Sequence, residues 1–363
     1  MSARKTIRLP EPLTMYRGGT LDQVDIAYET WGELSAARDN AVLLFTGLSP
    51  SAHAASSPED TEPGWWEEMI GSGKPLDTNR FHIICVNSLG SCFGSTGPAS
   101  VNPATGKPWR LDFPMLSIED TATAAWHVLQ QLGIEKVAAV AGPSLGGMSA
   151  LAYCLQYPQT AGALISISST ACALPFAIAV RSLQREMIRN DPDWQGGYYD
   201  KTPVQGMRLA RKLGMLSYRS PQEWKERFGR QPSDISVDMP GPFDLEFAVE
   251  AYLEAHARKF IGNFDANCYL YLSHALDLFD AAEHGKGDLQ QALQKLRGLQ
   301  ALVIGVETDL LFPIEHQQQL ADELNAAGCK TQLARLPSLQ GHDSFLIDFE
   351  RFGPEIKKFM KRL

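Results

Sequence analysis

The feature that most constrains the fold of this chain is a series of short apolar segments that alternate with segments of helical period. Apolar or β-branched runs occupy residues 41–46, 82–87, 137–141 and 163–168, each bounded by Gly, Ser, Asn or Pro. Residues 118–132, between two of these runs, carry Ala and Leu at helical spacing. Strands that are apolar on both faces and alternate with helices are typical of a parallel sheet covered on both sides. The sequence therefore predicts an α/β fold.

The pattern changes near residue 173, because nearly every segment from there to about residue 298 has helical period. Strand-like and helical segments then alternate again, at residues 301–306, 315–327, 331–336 and from about 352. We therefore predict a catalytic unit made of residues 1–172 and 299–363, interrupted by a helical lid at residues 173–298. Open α/β sheets carry their ligands at the carboxyl ends of the strands, so the lid is expected there.

Composition and charge exclude several classes of protein. The 363 residues are 44% hydrophobic and 21% charged, as in ordinary globular chains, and 33 Lys and Arg against 42 Asp and Glu give a net charge of −9. This balance argues against nucleic-acid and membrane-surface partners, since both attract clustered Lys and Arg. The chain shows no secretory signal or apolar stretch of membrane-spanning length, and its six cysteines are widely spaced. We expect free thiols, no metal site and a cytoplasmic location.

A serine stands where a predicted strand runs directly into a predicted helix. Residues 142–146 read Gly-Pro-Ser-Leu-Gly, a G-x-S-x-G sequence, immediately after the strand predicted at 137–141. Such a sharp turn holds the serine hydroxyl at the strand end, and its glycines remove side chains that would clash. The helix start behind it offers the backbone N–H of Leu145 to a developing oxyanion. Ser144 is therefore the predicted nucleophile, and a Gly/Ser turn without chemistry is the alternative.

A nucleophile in this setting is followed along the chain by an acid and then by a histidine. Of the five histidines after Ser144, His342 follows the last predicted strand and a glycine, on a loop that can return to the serine. The acid is expected at the end of the preceding strand, where Asp309 is favoured and Glu307 is the alternative. Asp343, next to the base, is predicted to bind substrate rather than to complete the triad.

The second oxyanion donor is expected in the loop that follows an earlier strand. The loop after residues 41–46 fits this position, and the backbone N–H of Leu48 is the candidate, with Gly47 as the alternative. These groups predict acyl transfer through an acyl-serine. The acceptor stays open, because the same triad serves a hydrolase when water enters and a transferase when another hydroxyl does. A binding protein without catalysis is disfavoured, because all three triad members are present.

Many stretches from about residue 16 to the end resemble the homoserine O-acetyltransferase family and, within it, the serine O-succinyltransferase branch. They are residues 28–32 (YETWG), 64–66 (GWW), 86–92 (VNSLGSC), 94–98 (GSTGP), 102–106 (NPATG), 111–114 (LDFP), 146–148 (GGM) and 341–346 (GHDSFL). The resemblance implies an α/β-hydrolase fold with a mostly parallel central sheet and an inserted helical lid that also builds a homodimer. It further implies ping-pong transfer of an acyl group from acyl-CoA to an amino-acid hydroxyl. Acyl-CoA is then a co-substrate, and no cofactor is bound permanently.

By position, the resemblance implies catalytic roles for Ser144, Asp309 and His342. It also implies that Arg211 holds the α-carboxylate of the amino acid and that Asp343 receives its α-amino group. A planar guanidinium suits such a bidentate task. The alternative for Arg211 is a solvated charge on the surface of the lid.

The segment around residue 52 bears on the acceptor. Homoserine acetyltransferases carry a short Thr-Gly-Asp-Ala-His stretch here, whereas the longer segment at residues 46–55 resembles the serine O-succinyltransferase branch. The resemblance therefore assigns substrate specificity to Ala52, His53, Ala54 and Ala55. L-Serine is the predicted acceptor and L-homoserine the alternative, and some overlap is expected because one methylene is worth only ~1–3 kcal/mol.

The donor is predicted to be succinyl-CoA, with acetyl-CoA as the alternative. A succinyl group needs a cation for its free carboxylate, and Arg185 is favoured over Arg181 on the lid as the residue for acyl-CoA specificity. Homoserine succinyltransferases of the family tend to have an arginine just after the triad acid, but Leu310 and Leu311 stand there. The resemblance thus implies serine O-succinylation in cysteine biosynthesis. Homoserine O-acetylation or O-succinylation in methionine biosynthesis, and then hydrolysis of an ester or thioester, are the alternatives.

Overall fold

In the computed structural model, which describes residues 3–235 and 244–363, the central sheet has eight strands. They are β1 (Lys5–Arg8), β2 (Asp25–Trp31), β3 (Ala41–Phe45), β4 (His82–Val86), β5 (Ala139–Pro143), β6 (Ala163–Ile167), β7 (Gln300–Val306) and β8 (Lys330–Leu336). Their order across the sheet is β1-β2-β4-β3-β5-β6-β7-β8. The β1–β2 and β2–β4 pairs are antiparallel and the other neighbours are parallel. The predicted α/β fold with a mostly parallel sheet is confirmed.

The six strands predicted from apolar runs are all present, whereas β1 and β2 were not predicted. β2 includes Asp25 and Glu29, and these polar residues interrupt the apolar run by which the other strands were predicted. β5 begins two residues later than predicted and runs on to Pro143, because its parallel pairing with β6 continues to that residue. The sheet therefore reaches the turn that carries Ser144.

Strand β3 shows why apolar runs form this sheet. All five of its residues are buried. Leu43 and Phe45 pack into one hydrophobic cluster, whereas Val42 and Leu44 pack into a second one. Because successive side chains of a strand point to opposite faces, a strand buried on both sides is apolar throughout. The parallel strands β3, β5, β7 and β8 all point their carboxyl ends to the same edge, where the loops with the candidate residues begin.

The α-helices of the described residues are α1 (Ile118–Gln131), α2 (Leu145–Gln156), α3 (Pro175–Arg189), α4 (Val204–Tyr218), α5 (Pro221–Phe228), α6 (Ala248–Phe260), α7 (Ala266–Leu278), α8 (Leu289–Leu293), α9 (Ile314–Ala326) and α10 (Phe349–Met360). Helices α3 to α8 lie between β6 and β7, and the described part of this stretch adds no strand to the central sheet. Within it α3 packs against α4 and α7. The lid predicted at residues 173–298 also includes residues 236–243, which lie outside the described residues, and its bounds as a separate unit stay a prediction.

Neither described range, 3–235 or 244–363, contains a helix that is long and apolar enough to cross a membrane. All six cysteines lie within these ranges and are free thiols. The same ranges contain no group of three His, Cys, Asp or Glu side chains that could hold a metal ion.

Candidate active site

The serine of the G-x-S-x-G sequence sits on a strained turn between β5 and α2. Ser144 has φ 55° and ψ −121°, a conformation that L-residues rarely adopt. Such a backbone costs energy and persists only where the surrounding structure holds it. Here the Ser144 N–H donates to the Ile167 carbonyl at 2.9 Å, which ties the turn to the end of β6. The strain is therefore supported by the sheet.

The two flanking glycines are required by close backbone contacts. A Cβ on Gly142 would lie 2.2 Å from the Gly146 carbonyl oxygen, and a Cβ on Gly146 would lie 2.6 Å from the Phe45 carbonyl oxygen. Neither backbone oxygen can move away as a flexible side chain would. The glycines therefore allow the turn to close and bring the loop after β3 against the start of α2.

The candidate base is carried by a short 3₁₀ turn, Gly341–Leu346, after β8. Gly341 has φ 61°, and a Cβ there would lie 2.7 Å from the Tyr218 carbonyl oxygen at the end of α4. The Ser344 hydroxyl donates to the Gly341 carbonyl at 2.6 Å and closes the turn. These contacts hold His342 over the sheet edge, directly beneath the lid.

Ser144, His342 and Asp309 form a continuous hydrogen-bonded chain. His342 Nε2 lies 2.8 Å from Ser144 Oγ, and His342 Nδ1 lies 2.8 Å from Asp309 Oδ2. A carboxylate only accepts, so Nδ1 donates to Asp309 and Nε2 is left free to accept the serine proton. The other oxygen, Asp309 Oδ1, accepts the backbone N–H groups of Leu311 and Phe312 at 2.9 Å each. The acid and base are both buried, and this geometry suits a general base that activates a serine.

The alternative acid, Glu307, is exposed at the end of β7. The structure pairs Asp309 with His342 instead. Two rings shield the imidazole: Phe312 stacks on it at 5.0 Å between centroids, and Phe345 meets it edge-on at 5.6 Å. A site walled by aromatic rings excludes water and strengthens the electrostatic interactions inside it.

A largely enclosed pocket opens onto Ser144 and His342. Its lid side comes from α3, α4 and α7, and its core side includes Leu48, Leu311 and Phe312. The lid side contributes Val180, Arg181, Gln184, Ser217, Tyr218, Tyr269 and Leu276. Apolar walls with a few polar groups are usual for a site that binds a small molecule.

Both predicted oxyanion donors lie beside the nucleophile. Leu145 is the first residue of α2, and the first N–H groups of a helix have no partner within it. Leu48 lines the pocket together with Ser144, whereas a Cβ on Gly47 would contact Pro50 and Pro143. Backbone N–H groups aimed at the same point beside the serine would stabilise a developing oxyanion. The choice of Leu48 over Gly47 stays a prediction.

Of the two residues expected to bind the amino acid, Asp343 follows the base directly, and Arg211 packs on Tyr218, whose ring lies 6.0 Å from the His342 ring. Neither residue is in the lining of the pocket at Ser144. The Arg211 guanidinium packs over the rings of Phe260 at 4.7 Å and Tyr218 at 6.0 Å, and its Nε is buried without a hydrogen-bond partner. Asp343 Oδ2 lies 3.1 Å from Arg219 Nε. Burial raises the pKa of Asp343, although the cations Arg219 and Arg211 oppose this shift. The cation of Arg211 is thus close enough to influence the Asp343 carboxylate, which is itself paired with Arg219.

The two lid arginines face different cavities. Arg185 Nη2 pairs with Asp277 Oδ2 at 2.6 Å, and its side chain lines a separate cavity with Arg189 and His274. Arg181, one turn earlier on α3, lines the pocket that contains Ser144. The structure therefore brings Arg181, rather than Arg185, to the nucleophile, and the role of Arg185 in acyl-CoA specificity stays a prediction.

The segment predicted to set acceptor specificity is well packed. Ala52, Ala54 and Ala55 are buried in the hydrophobic cluster that contains Trp66. His53 Nδ1 lies 2.9 Å from Glu29 Oε2, and its Nε2 lies 2.8 Å from the Glu62 carbonyl oxygen. Within the described residues none of the four lines the pocket at Ser144, since the three alanines belong to the packed core and His53 is half-buried beside Glu29. Their effect on specificity stays a prediction.

Comparison with known proteins agrees with this geometry. The family model for the alpha/beta hydrolase fold matches residues 40–348. The chain belongs to the α/β-hydrolase family. It is also 59% identical over 360 residues to a serine O-succinyltransferase from Litchfieldella anticariensis, which covers 99% of this chain and 98% of the relative. The predicted resemblance is confirmed, and this α/β hydrolase belongs to the acyltransferase family of that relative.

Solved structures of the same fold include both transferases and esterases. The homoserine O-acetyltransferase from Bacillus anthracis superimposes with a TM-score of 0.91 at 29% identity, covering 100% of this chain and 99% of the other. Esterase E22 superimposes with a TM-score of 0.88 at 29% identity, covering 98% and 99%. One scaffold thus carries transfer to an amino acid and hydrolysis of an ester, so fold alone does not select the acceptor.

Two charged residues of this α/β hydrolase escaped the sequence analysis. Arg219 pairs with Asp343, and Asp277 pairs with both Arg181 and Arg185. No motif marks either residue, because residue 219 meets 343 only through the fold. Asp277 could have been suspected, since it is an acid on an otherwise apolar stretch of α7 that faces a helix with several arginines.

Proposed function

We propose that this chain transfers the succinyl group of succinyl-CoA to the hydroxyl of L-serine, giving O-succinyl-L-serine and free CoA for cysteine biosynthesis. The observation that carries the proposal is the hydrogen-bonded chain Ser144–His342–Asp309 at the floor of a pocket closed by the lid. The 59% identical relative, a serine O-succinyltransferase, supports both the acyl group and the acceptor. Acyl-CoA acts as a co-substrate, and the reaction uses no permanently bound cofactor.

The first half-reaction transfers the acyl group from CoA to Ser144. His342 Nε2 takes the proton of Ser144 Oγ, which attacks the thioester carbonyl carbon and forms a tetrahedral oxyanion. The N–H groups of Leu145 and Leu48 stabilise that oxyanion, and Asp309 stabilises the imidazolium. The carbon–sulfur bond then breaks, and His342 returns its proton to the departing CoA thiolate. The product is an acyl ester on Ser144.

The second half-reaction transfers the acyl group from Ser144 to the amino acid. The α-carboxylate of serine binds Arg211 and its ammonium group binds Asp343, which places the serine hydroxyl beside His342. The imidazole removes the hydroxyl proton, the oxygen attacks the acyl ester, and His342 returns the proton to Ser144 Oγ. Exclusion of water by the lid and the aromatic rings favours the amino acid as acceptor.

A matrix of donors and acceptors tests the proposal. Succinyl-CoA and acetyl-CoA are each combined with L-serine and L-homoserine, and free thiol is followed together with the acylated amino acid. We expect the succinyl-CoA and L-serine pair to give the highest kcat/KM. The Ser144→Ala variant should keep its thermal unfolding temperature and lose turnover, so retained turnover would contradict the nucleophile.

The role of Arg211 has its own test. The Arg211→Gln variant should raise the KM for serine by roughly 10- to 100-fold, the value of one or two charge-assisted hydrogen bonds. The rate at which succinyl-CoA acylates Ser144 without an acceptor should stay near that of the wild type. A change in acylation with an unaltered KM for serine would remove Arg211 from the acceptor site.

Two alternatives are distinguished by the same matrix. The likeness to the Bacillus anthracis homoserine O-acetyltransferase favours homoserine and acetyl-CoA as the second candidate. That candidate predicts the highest kcat/KM for acetyl-CoA with L-homoserine. The likeness to esterase E22 favours hydrolysis, which predicts thiol release that ignores both amino acids.

We also propose that the protein is a cytoplasmic homodimer that pairs through its lid. Helices α3 and α4 expose large apolar side chains, and a second lid could cover them. They include Phe176, Leu183, Leu209 and Leu216. Sedimentation of the purified protein should give twice the monomer mass, and a Leu183→Glu variant should shift it to the monomer. Free cysteines support a reducing compartment, which cell fractionation tests.

A further inference from the structure

We propose that Cys92 and Cys268 form a reversible oxidation site, in which a peroxide converts the two thiols into a disulfide that joins the sheet core to lid helix α7. Cys92 lies in the loop that follows β4, and Cys268 lies in the first turn of α7. The disulfide lowers the rate of acyl transfer, and this consequence rests on the proposed function. The oxidation itself does not depend on which acyl group or acceptor the protein uses.

The two thiols are in contact where the core meets the lid. The Cys268 thiol donates a hydrogen bond to Cys92 Sγ, and the backbone N–H of Asp265 donates to the same sulfur at 3.4 Å. Asp265 is the N-cap of α7, and its Oδ1 accepts the Cys268 N–H at 3.0 Å. The Tyr199 hydroxyl donates to the other oxygen, Oδ2, at 2.7 Å. One anchored helix start therefore holds both sulfurs in place.

The surroundings make Cys92 the attacking thiol and Cys268 the resolving thiol. Cys92 is half-buried, and the hydrogen bond from Cys268 lowers its pKa, although burial opposes this shift. The N–H of Asp265 also lowers the pKa of Cys92. Cys268 is fully buried, and burial together with its hydrogen bond to Cys92 raises its pKa. Because the thiolate is the nucleophile, an accessible thiol of low pKa beside a second thiol is the arrangement that a peroxide oxidises.

The oxidation takes place in two steps. The Cys92 thiolate attacks one oxygen of hydrogen peroxide, the O–O bond breaks, and the hydroxide that leaves takes up the proton that Cys92 lost. Cys92 is then a sulfenic acid. The Cys268 sulfur attacks the sulfenic sulfur, the S–O bond breaks, and the departing hydroxide leaves as water with the Cys268 proton. The two thiols have lost two electrons and one peroxide has become two waters, and an added thiol reverses the change by exchange.

The disulfide affects the pocket of the nucleophile through both of its ends. Two bonded sulfurs lie about 2.05 Å apart, closer than two thiols in contact, so the loop or the first turn of α7 must shift when the bond forms. Tyr269 directly follows Cys268 and lines the pocket. On the core side, Ser88 belongs to the same loop as Cys92, and its Oγ lies 3.2 Å from Thr46 Oγ1, in the loop of the predicted oxyanion donor. Oxidation therefore displaces a wall of the pocket and ties the lid to the core.

Three other cysteines are poorer candidates for oxidation. Burial raises the pKa of both Cys154 and Cys329, that of Cys329 to about 11, and the Cys329 thiol donates to the Leu296 carbonyl at 3.2 Å. Cys172 is half-buried like Cys92, but burial raises its pKa. Cys172→Ser is therefore the matched control for Cys92→Ser.

The experiment identifies the disulfide by mass spectrometry. The wild type and the Cys92→Ser, Cys268→Ser and Cys172→Ser variants are treated with hydrogen peroxide, and the remaining thiols are alkylated. Chymotrypsin, which cleaves after Leu89, then separates Cys92 from Cys85. We expect a Cys92–Cys268 peptide pair in the wild type and in Cys172→Ser, and its loss on treatment with dithiothreitol. In Cys268→Ser, dimedone should instead trap a sulfenic acid on Cys92.

The same samples are assayed for acyl transfer after the peroxide is removed, with the donor and acceptor that the untreated enzyme uses best. A misplacement of about 1 Å can cost on the order of 100-fold in rate, so kcat/KM of the oxidised wild type should fall by between about threefold and about 100-fold. Dithiothreitol should restore it. Cys92→Ser and Cys268→Ser should each keep the kcat/KM of their own untreated samples.

Several results would overturn the proposal. Alkylation of both Cys92 and Cys268 after peroxide treatment of the wild type means that the site does not exist, and a disulfide between Cys154 and Cys329 places it elsewhere. A mapped Cys92–Cys268 disulfide with an unchanged kcat/KM refutes its effect on the pocket. If Cys268→Ser does not fold, Cys268→Ala takes its place, and a disulfide-free variant that still loses activity to peroxide assigns the loss to another residue.

Failure of the proposed function gives a different pattern. A protein that hydrolyses the donor or uses another acyl group contradicts the proposed function, whereas the disulfide still forms and is still read by mass. An enzyme that succinylates serine and forms no disulfide contradicts the oxidation site alone.

Discussion

Replacement of Asp309 by Asn tests whether the acid sets the protonation state of the base. In the wild type, Asp309 Oδ1 accepts the N–H groups of Leu311 and Phe312, while Oδ2 accepts from His342 Nδ1. The two backbone donors would keep the amide oxygen of the variant on their side and turn its NH₂ group toward Nδ1. Nδ1 must then accept, the ring proton moves to Nε2, and Nε2 can no longer take the proton of Ser144.

The size of this effect follows from the two backbone hydrogen bonds. The opposite orientation of the amide would point its NH₂ group at two buried N–H donors, and each unsatisfied donor costs about 1–3 kcal/mol. The unreactive tautomer is therefore favoured by about 2–6 kcal/mol. Because 1.36 kcal/mol corresponds to a factor of ten in rate, acylation should slow between about 30-fold and about 26,000-fold. The upper end is similar to the ~10⁴-fold loss that this substitution causes in a Ser-His-Asp protease.

Acyl-enzyme formation from succinyl-CoA is the direct assay for Asp309→Asn, since it isolates the step in which Ser144 is deprotonated. The matched control is Glu307→Gln, which removes an exposed carboxylate two residues away and should leave the rate unchanged. Thermal unfolding of both variants verifies that they are folded. A loss below tenfold in Asp309→Asn, or an equal loss in Glu307→Gln, would refute the assignment of tautomer control to Asp309.

Two further substitutions test packing and pH dependence. Gly146→Ala puts a Cβ 2.6 Å from the Phe45 carbonyl oxygen, so the free energy of unfolding should fall by roughly 1–3 kcal/mol. The control is Gly47→Ala, whose Cβ would lie 3.7 Å from its nearest neighbour and which should match the wild type in denaturant melts. Burial raises the pKa of Asp120 from 3.8 to about 6. The folded state therefore holds this proton more tightly, and the wild-type unfolding free energy loses about 3 kcal/mol from this group as pH rises through that window. Asp120→Asn removes this component, so its stability deficit should shrink between about pH 4 and about pH 7 in denaturant melts, and a constant deficit contradicts the shift.

The sheet and the hydrogen-bonded arrangement of Ser144, His342 and Asp309 were predictable because local chemistry marks them. The strands buried on both faces are continuous apolar runs. The glycines around Ser144 are required because any side chain there would clash with neighbouring backbone atoms. His342 follows the last strand and Asp309 the one before it, so chain order alone placed both at the correct edge. Strand β2 was missed because its polar residues interrupt the apolar pattern.

The charged residues proposed to bind substrate were harder to predict, because their positions depend on which lid residues meet. Arg181 and Arg185 lie one turn apart on α3, and helical period cannot tell which of them faces Ser144. That distinction depends on how α3 packs against α7, where Asp277 holds both arginines. Arg219 likewise reaches Asp343 only because α4 ends beside the turn that carries His342. Contacts between distant segments carry no local sequence signal.

The end of α4 in the lid packs directly against the turn that carries the candidate base, His342. Tyr218 at the end of α4 lies 6.0 Å from the His342 ring, and its carbonyl leaves no room for a Cβ at Gly341. On the core side, the Trp66 indole donates to the Phe345 carbonyl at 2.9 Å, in the same 3₁₀ turn as the histidine. A displacement of α4 would therefore move the base as well as admit water. In the proposed mechanism, the contacts that exclude water from the acyl-serine are thus the same contacts that position the imidazole for transfer.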